Sequence, residues 1–349
     1  MPKTEPKKTP FLAHILMVLG LIPLPWAAAA LTLSGGGAAG ILWWRWGLLA
    51  CWLVLGCGLW IKLPRSHRWW TPWLLYLCGL GAQVSARPSL ERNWSEDQER
   101  VAWVDIEGED FLFHNIRDFS YDSATEWTPG WKRAHYNLAD LQGADFIVEH
   151  FSPGVDAIAH TFVSFRFRGG RFLPVSVEIR KEKGESYSPV RGLFRQYELY
   201  YVVATEWDAV RLRTHHRESR VAIHPLKTDP ERLRAFFLDV VRRINQLKQS
   251  PEHYHTLTSS CTTNLARHLE AVSPHRVLFD KRVYLPGYSS ELAWELGLLG
   301  DDSLETILAR DTVTDEERAR ANHPEVFSLQ IRGEGPDTPP PPAEESLVH

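Results

Sequence analysis

The fold of this chain is decided by the segment IAHTFVSFRFRGGRFLPVSVEIR, which covers residues 158–180. Aromatic and β-branched residues flank Gly169 and Gly170, a pattern typical of two antiparallel strands joined by a tight turn. The two glycines supply the positive φ angles that a two-residue turn requires. The segment therefore predicts a β-hairpin in which His160 opens the first strand and shares one face of it with Phe162 and Ser164.

Residues 91–328 around this hairpin are long enough for one large domain, and no second linker interrupts them. Hydrophobic periodicity predicts an α+β domain with an antiparallel sheet. The expected strands cover 101–106, 111–116, 145–150, 198–205 and 209–214, and the expected helices cover 230–248 and 261–272. The segment 329–349 contains four consecutive prolines and several acidic residues, so we expect a disordered tail there.

The composition of the whole chain hides two unlike parts. A length of 349 residues with 44% hydrophobic content and a net charge of −4 resembles a soluble enzyme of two domains. The first 90 residues, however, hold nine of the 15 tryptophans and carry +7, which leaves −11 for the remainder. The composition excludes a collagen-like or wholly disordered chain, and the charge of the larger part excludes a basic nucleic-acid-binding protein.

Residues 1–90 predict a membrane anchor. Apolar runs at 11–33, 41–63 and 69–86 each approach the roughly 20 residues that a membrane-spanning helix needs, and the third run is the shortest. Arg45, near the start of the second run, can extend its charge to the lipid headgroups. Residues 23–30 alternatively resemble the end of a cleaved signal peptide. We expect a bundle of three transmembrane helices.

The positive charges beside these runs predict the orientation of the anchor. With three spans, six basic residues lie on one side of the membrane: Lys3, Lys7, Lys8, Lys62, Arg65 and Arg68. Three lie on the other side: Arg45, Arg87 and Arg92. The side with more basic residues is normally cytoplasmic. We therefore expect a multi-pass protein of the bacterial inner (cytoplasmic) membrane whose large domain lies in the periplasm.

Cys261 is the only cysteine of the predicted periplasmic domain. In an oxidising compartment, a cysteine without an intramolecular partner is buried and inert, pairs with another chain, or is a working thiol. Ser259 and Ser260 are good N-caps for a helix that starts at Cys261. The positive end of that helix would stabilise a thiolate, which favours Cys261 as a nucleophile.

A cysteine nucleophile needs a base, and His160 is the histidine that a sheet would hold most rigidly. A two-residue turn would place position 160 opposite position 179, but a bulge at Pro174 would bring Glu178 opposite His160 instead. Glu178 is therefore the expected acid that orients the imidazole, with a pairing to Arg180 or Lys181 as the alternative. A strand histidine, a strand carboxylate and a later helix-start cysteine follow the order found in permuted papain-like (NlpC-type) folds, such as that of the lecithin retinol acyltransferase group.

A closer resemblance covers most of the domain. Its motifs are NWSEDQ (93–98), NIRDF (115–119) with Tyr121, TPGW (128–131), IAHTFVSF (158–165), EIRKEKGESYS (178–188), FRQYEL (194–199) and YHTLTSSCTTN (254–264). In this order they resemble the Lnb-type N-terminal periplasmic domain, whose family is named for a lipoprotein N-acyltransferase. The resemblance implies a Cys and His pair that moves an acyl chain from the glyceryl group of a lipoprotein's modified cysteine to its α-amino group.

By position, Cys261 matches the nucleophile of that family and His160 matches its base. The stretch RKEKGESYS then implies substrate-binding roles near the site for Arg180, Lys183, Glu185 and Tyr187. Lys183 and Tyr187 would bind a lipid phosphate or another polar head, unless the stretch is only a charged surface turn around Gly184. Asn264, one helical turn after Cys261, is suited to face the same cleft. One departure is that the apolar runs here precede the domain, whereas the named acyltransferase has membrane helices after it.

These residues predict a membrane-anchored cysteine acyltransferase or hydrolase that acts on acyl esters of lipids or lipoproteins and needs no cofactor or metal. A papain-like amidase or peptidase of the cell envelope would use the same residues on a peptide or amide bond. A zinc site built from His150, His160, His253 and His255 matches no strong metal motif. The non-enzymatic alternative is a lipoprotein-binding module in which Cys261 is merely buried. The predicted partner in each case is a membrane lipid, a lipoprotein or another cell-envelope component.

Overall fold

The computed structural model describes residues 11–33 and 42–335, and the chain divides into two compact units. Unit 1 comprises Met1–Glu99, Ile179–Leu199 and Pro251–Ser259, and unit 2 comprises Arg100–Glu178, Tyr200–Ser250 and Ser260–His349. Lys3, Lys7, Lys8 and residues 336–349 of the expected tail lie outside the described residues. The α+β class with antiparallel sheets is confirmed.

Unit 1 contains the helices of the amino-terminal region. They are α1 (Phe11–Leu21), α2 (Leu24–Leu33), α3 (Leu42–Lys62) and α4 (Trp70–Ser85), and the short helix α5 (Pro189–Leu193) also belongs to this unit. Two helical stretches, Ile15–Leu33 and Arg45–Lys62, are long and apolar enough to cross a membrane by length and composition. The third expected span forms α4, whose 16 residues rise only about 24 Å, less than a hydrocarbon core of about 30 Å.

The helices of unit 1 pack through small and aromatic residues. A Cβ atom added to Gly79 of α4 would lie 2.6 Å from the Cα atom of Ala27 of α2, so glycine permits this close approach. Trp26 Nε1 donates to Gln83 Oε1 at 3.1 Å, and Gln83 Nε2 donates to the backbone carbonyl of Leu193 at 3.0 Å. The Trp26 and Phe194 rings lie 4.4 Å apart. The apolar helices thus pack directly on the segment that contains α5.

The main sheet has five strands in the order β10-β6-β7-β8-β9, and β10, β6, β7 and β8 pair antiparallel. A second sheet has the order β1-β2-β5, and β3 and β4 form a third. The strands are β1 (Trp103–Glu107), β2 (Asp110–Arg117), β3 (Ser120–Tyr121), β4 (Trp127–Thr128), β5 (Trp131–Asn137), β6 (Leu141–His150), β7 (His160–Phe167), β8 (Arg171–Arg180), β9 (Glu198–Val203) and β10 (Arg220–Pro225).

The hairpin of β7 and β8 forms, but its turn differs from the expected one. Phe167 pairs with Arg171, so the loop has three residues, 168–170, and the expected two-residue turn is wrong. Gly169 and Gly170 do adopt positive φ angles of 76° and 67°. The register runs unbroken to the Phe162↔Ser176 pair, and two further residues place Glu178 opposite His160. The extra loop residue therefore shifts the register by one position, which is the shift that the expected bulge at Pro174 would have produced.

The expected strand at 209–214 is wrong, because this segment is helical. Thr205 caps the helix α6 (Glu206–Arg211) by accepting a hydrogen bond from Asp208 N, and Glu206 and Asp208 place negative charge in its first turn. The chain continues as a π-helical turn, Leu212–His216. Such turns are rare and frequently occur at functional sites.

The remaining helices cover the sheets of unit 2. They are α7 (Pro230–Gln249), α8 (Cys261–Val272), α9 (Lys281–Tyr284), α10 (Ser289–Glu295), α11 (Leu304–Asp311), α12 (Asp315–Arg320) and α13 (Phe327–Gln330). The two expected helices at 230–248 and 261–272 are confirmed as α7 and α8. Phe237 of α7 is buried and makes edge contacts with Phe111 and Phe165, which belong to different sheets.

The ordered chain continues beyond Ser328, the expected end of the domain. Ile331 is buried beside the core residue Phe327. Arg332 is buried and places Nη2 2.7 Å from Asp145 Oδ2 and 2.7 Å from Glu206 Oε1. These carboxylates, with side-chain hydrogen bonds, raise the pKa of Arg332 despite its burial. The chain as far as Gly335 therefore belongs to the folded unit.

Candidate active site

Cys261 is the first residue of α8, and local sequence fixes the start of this helix. Ser260 is the N-cap: its side chain accepts from Thr263 N at 3.4 Å, while the Thr263 hydroxyl accepts from Ser260 N at 2.6 Å. This reciprocal pair is a capping box, which satisfies two of the backbone N–H groups that a helix start leaves free. The Cys261 side chain is buried at the positive end of the helix dipole.

His160 is the side chain that most lowers the pKa of this thiol. Burial by itself raises the pKa of Cys261, but the charge of His160 and hydrogen bonds with the His160 side chain, the Thr161 backbone and Thr262 lower it to about 6. The lowered pKa means that the thiolate is the main form at neutral pH. Cys261 and His160 are therefore a candidate nucleophile and its candidate proton carrier.

Ser176 and Glu178 lie behind the histidine on the neighbouring strand. His160 Nε2 is 2.7 Å from the Ser176 hydroxyl and 3.8 Å from Glu178 Oε1, and Ser176 Oγ donates to Glu178 Oε1 at 2.9 Å. Residues 176 and 178 share one strand face, since alternate residues of a strand point the same way. The structure thus brings Cys261, His160 and Glu178 together and adds Ser176, which the sequence analysis missed.

Arg213 lies between the buried carboxylate of Glu149 and the partly buried carboxylate of Glu178. Its Nη2 donates to Glu178 Oε1 at 2.9 Å and its Nε donates to Glu149 Oε2 at 2.7 Å. Burial raises the pKa of Glu178, but Arg213, His160, Arg117 and the Ser176 hydroxyl together hold it far below its ordinary value. Glu178 is therefore charged at neutral pH, and its carboxylate lies on the side of the imidazole that faces Ser176.

The helix α6, which leads into the turn that contains Arg213, is held by a buried ion pair. Arg117 Nη2 donates to Asp208 Oδ1 at 2.8 Å and its Nε donates to Asp208 Oδ2 at 2.9 Å. This bidentate geometry is a strong and directional form of ion pair. Asp208 also accepts from Phe119 N at 2.9 Å, so β2 and the following loop hold the first turn of α6 in place.

Two threonines fasten the cysteine helix to the histidine strand. Thr161 of β7 and Thr262 of α8 place their hydroxyl oxygens 3.0 Å apart, and Thr262 Oγ1 lies 3.7 Å from Cys261 Sγ. Both threonines are buried. Each follows a catalytic candidate directly in sequence, so this contact sets the spacing of the nucleophile and its base.

Four of the five expected substrate-binding residues belong to unit 1. Two of these, Arg180 and Glu185, have side chains that contact other residues of the unit. Arg180 is buried over the Trp94 ring at 4.0 Å and donates to the carbonyls of Gln98 and Glu99. Glu185 accepts from Gln196 Nε2 at 2.8 Å and from Glu182 N at 2.9 Å. The contacts of Arg180 and Glu185 stabilise the loop that contains both of them.

The other three expected residues differ in exposure. Lys183 is exposed, beside Gly184, whose φ is 84°, and Tyr187 is half exposed. Asn264 is buried, and its Nδ2 donates to the carbonyl of Ser260 at 2.8 Å, which reinforces the first turn of α8. A substrate-binding role of all five residues stays a prediction.

Two further histidines sit in buried networks that hold unit 2 together. His224 Nδ1 lies 2.7 Å from Asp311 Oδ2 and its Nε2 lies 2.9 Å from Ser290 Oγ, which is the connectivity of a Ser-His-Asp triad. All three side chains are buried, and His224 has no exposed surface, so a substrate carbonyl has no route to this serine. On the cysteine's own helix, His268 connects Tyr201 and Asp239.

The metal alternative needs several ligands at one point. Within residues 11–33 and 42–335, no three His, Cys, Asp or Glu side chains come together as a metal ion requires. In unit 1, His253 Nε2 lies 3.1 Å from the carbonyl of Ala86, and His255 Nδ1 accepts from Thr258 N at 3.2 Å. These two histidines are engaged with backbone groups.

Comparison with known proteins gives one match. Residues 127–287 match the family described as the Lnb N-terminal periplasmic domain, which confirms the resemblance drawn from the sequence. The match contains His160, Ser176, Glu178, Arg213 and Cys261. No curated protein and no solved structure matches the chain. The periplasmic family together with the candidate membrane helices indicates a membrane-anchored periplasmic protein.

Proposed function

Because residues 127–287 match the Lnb N-terminal periplasmic domain, we propose that the protein is a membrane-anchored cysteine acyltransferase that acts on the acyl esters of lipids or lipoproteins. The observation that supports this most is the chain of contacts from Cys261 through His160 to Ser176 and Glu178. A thiol with a pKa of about 6 beside a histidine is a nucleophile that is ready at neutral pH.

In the first half-reaction, the Cys261 thiolate attacks the carbonyl carbon of an acyl ester. The carbon–sulfur bond forms, the ester carbon–oxygen bond breaks, and the His160 imidazolium gives its proton to the departing glyceryl oxygen. His160 Nε2 faces Ser176 and Glu178, so Nδ1 is the nitrogen left for this proton transfer. The product is a thioacyl enzyme with a neutral imidazole.

In the second half-reaction, an amine replaces the thiol. The α-amino group of the lipoprotein's cysteine gives a proton to His160 and attacks the thioester carbon, so an amide forms and the Cys261 thiolate leaves. Glu178 keeps its charge throughout, because Arg213 and its other partners hold its pKa low. Its carboxylate stabilises the imidazolium that is consumed in the first half-reaction and forms again in the second. Water in place of the amine would give hydrolysis of the same intermediate.

A membrane anchor suits such an enzyme, because its acyl donor lies in the lipid. We place the domain in the periplasm because the matching family is a periplasmic domain. The three-span anchor in the inner membrane that the basic residues favour requires α4 to cross a thinned part of the bilayer as well. Tethering raises the effective concentration of the domain beside its donor. For the fold, the strand histidine, strand carboxylate and helix-start cysteine support a permuted papain-like arrangement.

The experiment that tests this function is mass analysis of lipoproteins from cells that carry the wild-type protein or Cys261→Ser. The wild type should convert lipoproteins to the form with an acyl chain on the α-amino group and one fewer ester-linked chain. Cys261→Ser should leave them unconverted, and Cys78→Ser, in α4, serves as the matched control. Conversion by Cys261→Ser at the wild-type level contradicts the proposal.

The second candidate is a papain-like amidase or peptidase of the cell envelope. The same thiolate and imidazole would support it, because attack on an amide needs the same nucleophile and proton donor. The net charge of −11 beyond residue 90 gives no attraction to acidic cell-wall polymers. A peptide fragment trapped on Cys261, instead of a fatty acyl group, would establish this alternative.

A further inference from the structure

Unit 2 contains an apolar cavity beside the cysteine helix. Its volume is about 150 Å³. Residues of β7, α7, α8 and α10 line it, among them Val163, Phe236, Leu265, Ala266, Leu269 and Leu292. The lining side chains are mostly hydrocarbon, so the cavity offers few hydrogen-bond partners to water.

The size of the cavity limits what it can hold. An apolar cavity of about 150 Å³ stays dry and accepts a molecule the size of benzene, which has six carbons. Native interiors are close-packed, and lining atoms that face a void lose their dispersion contacts. A flexible hydrocarbon segment of about six carbons would fill this space and restore those contacts.

The cavity meets the candidate active site at Thr262. This residue lines the cavity, and its hydroxyl lies 3.7 Å from Cys261 Sγ. From Thr262 the lining follows one face of α8 through Ala266 and Leu269 to Ser273. A helix rises 1.5 Å per residue, so the lined face is about 16 Å long. A chain attached to Cys261 can therefore extend along its own helix.

Two basic residues also line this cavity. Lys227 and Arg232 contribute to its lining and are exposed overall, and Arg232 Nε lies 3.2 Å from Asp229 Oδ2. Long basic side chains commonly cover apolar surface with their methylene stems and keep their charge in water. The charged groups of the lining therefore stand where it reaches solvent.

We propose that this cavity holds the alkyl part of the acyl group that Cys261 carries. The proposal rests on the proposed function, because the chain enters the cavity from a thioester at Cys261. It makes the preferred substrates esters of acyl chains with about eight carbons or more, since an acetyl group does not reach beyond Thr262. The cavity thus selects the chain that is transferred, and the thiolate performs the transfer.

The first test measures kcat/KM for p-nitrophenyl octanoate and p-nitrophenyl acetate with the full chain in lipid nanodiscs. The wild type should prefer octanoate by at least about tenfold, since each buried methylene contributes favourably. Ala266→Leu fills the cavity and should reduce the octanoate-to-acetate ratio to within about twofold of one. Ala271→Leu, on an exposed position of the same helix, should keep the wild-type ratio. An unchanged ratio in Ala266→Leu overturns the proposal.

A second measurement tests binding in the cavity without any reaction at Cys261. In a Cys261→Ala background, a fatty acid that carries a photoreactive diazirine should cross-link to peptides of α8 and α10. Adding Ala266→Leu, or Ala293→Leu on the α10 side, should reduce that cross-linking at least tenfold, while Ala271→Leu should not. Thermal unfolding of each variant reports whether it is folded. Cross-linking at α8 that persists in both filled variants contradicts the cavity assignment.

The two measurements distinguish failure of this proposal from failure of the proposed function. If neither ester acylates Cys261 but the filled variants lose cross-linking, the cavity binds acyl chains and the acyltransferase assignment is wrong. If Cys261 is acylated equally by both esters and cross-linking is insensitive to filling, the acyltransferase stands and the cavity does not select its substrate.

Discussion

His160 Nε2 lies 3.8 Å from Glu178 Oε1, across the two strands of the central hairpin, and the Ser176 hydroxyl lies between them. Ser176 is 2.7 Å from His160 Nε2 and donates to Glu178 at 2.9 Å. The carboxylate therefore acts on the imidazole partly through a neutral hydroxyl and partly through its charge. Because Arg213 also contacts Glu178, the Glu178 carboxylate is held between an arginine and a histidine.

Glu178→Gln removes the charge that stabilises the imidazolium and leaves a side chain of similar shape. Hydrogen bonds to charged groups contribute about 1.5–3 kcal/mol. We therefore expect kcat/KM for an acyl ester to fall about 10- to 100-fold, and the pKa of Cys261 to rise because the thiolate loses its charged partner. Steady-state kinetics and a pH profile of thiol alkylation measure both. Wild-type kinetics in this variant would show that Glu178 has no role in orienting His160.

Ser176→Ala removes the bridge between His160 and Glu178 and keeps both of them. The charges of His160 and Glu178 still attract each other directly in this variant, so we expect a smaller loss than for Glu178→Gln, about five- to tenfold in kcat/KM. Ser176→Thr retains a hydroxyl on a strand that tolerates β-branched residues, and it should recover most of the activity. A larger loss in Ser176→Thr than in Ser176→Ala would contradict the bridging role.

Arg213→Met leaves the buried Glu149 carboxylate and the partly buried Glu178 carboxylate without their shared partner. Removing one side of a buried ion pair destabilises a protein by about 3–5 kcal/mol, and chemical denaturation should show a loss of that size at pH 7. Arg213→Lys should lose less, although a single ammonium group does not reproduce the two directed contacts. A loss below about 1 kcal/mol for Arg213→Met would contradict the importance of this bridge.

The cost of Arg213→Met should also depend on pH. In the wild type, the pKa values of Glu149 and Glu178 are lowered, so their stabilisation is present above their unfolded pKa of about 4.5 and is lost as the pH falls through their folded values. In the variant, burial without Arg213 raises both pKa values, and protonation then favours the folded state. The difference in unfolding free energy should shrink from pH 7 to pH 4.5. A constant difference would exclude these carboxylates as its source.

The reactivity of Cys261 should follow its lowered pKa. Alkylation by iodoacetamide requires the thiolate, so its rate should increase with pH through a midpoint of about 6. In His160→Ala, the imidazole charge and its hydrogen bond are lost while burial remains, and the midpoint should move toward or above the ordinary value of 9.0. A midpoint that is the same in both proteins would show that His160 does not activate the thiol.

Ser290→Ala tests the buried histidine network that resembles a second triad. Removal of its hydroxyl leaves His224 Nε2 without that partner, which should cost about 1–3 kcal/mol of stability. Hydrolysis and transfer of acyl esters should stay at the wild-type level, because Ser290 and His224 are buried. Loss of activity in a folded Ser290→Ala protein would show that the assignment of catalysis to Cys261 and His160 is wrong.

The sequence located the candidate nucleophile at a helix start and the candidate base on a strand, because both positions depend on local patterns. Ser260 indicated the helix start at Cys261, and the alternation around Gly169 indicated the strand of His160. Glu178 was chosen through a bulge that does not form, whereas a loop with one more residue produces the same pairing. Residue patterns thus located the strands, but they did not determine the register, which depends on the length of the turn.

The role of Arg213 could not be predicted from the sequence, because the pattern at 209–214 predicts a strand. Apolar and β-branched residues at 209–214 favoured that interpretation, but Thr205, Glu206 and Asp208 are helix-start signals that outweigh it. Ser176 was detectable, since it lies two residues before Glu178 and therefore on the same strand face. The third apolar run forms a helix shorter than a membrane span, because α4 ends at Ser85 after 16 residues.

The measurement that tests the central claim most directly is intact-protein mass spectrometry after a brief reaction with a diacylglyceryl lipopeptide whose α-amino group is blocked. The wild type should gain the mass of one fatty acyl group, located on Cys261 by peptide mapping and removed by hydroxylamine as a thioester is. His160→Ala should gain it at least 100-fold more slowly, and Cys261→Ser should give no thioester. A wild-type protein that transfers acyl chains while Cys261 stays unmodified and open to alkylation throughout would contradict the account.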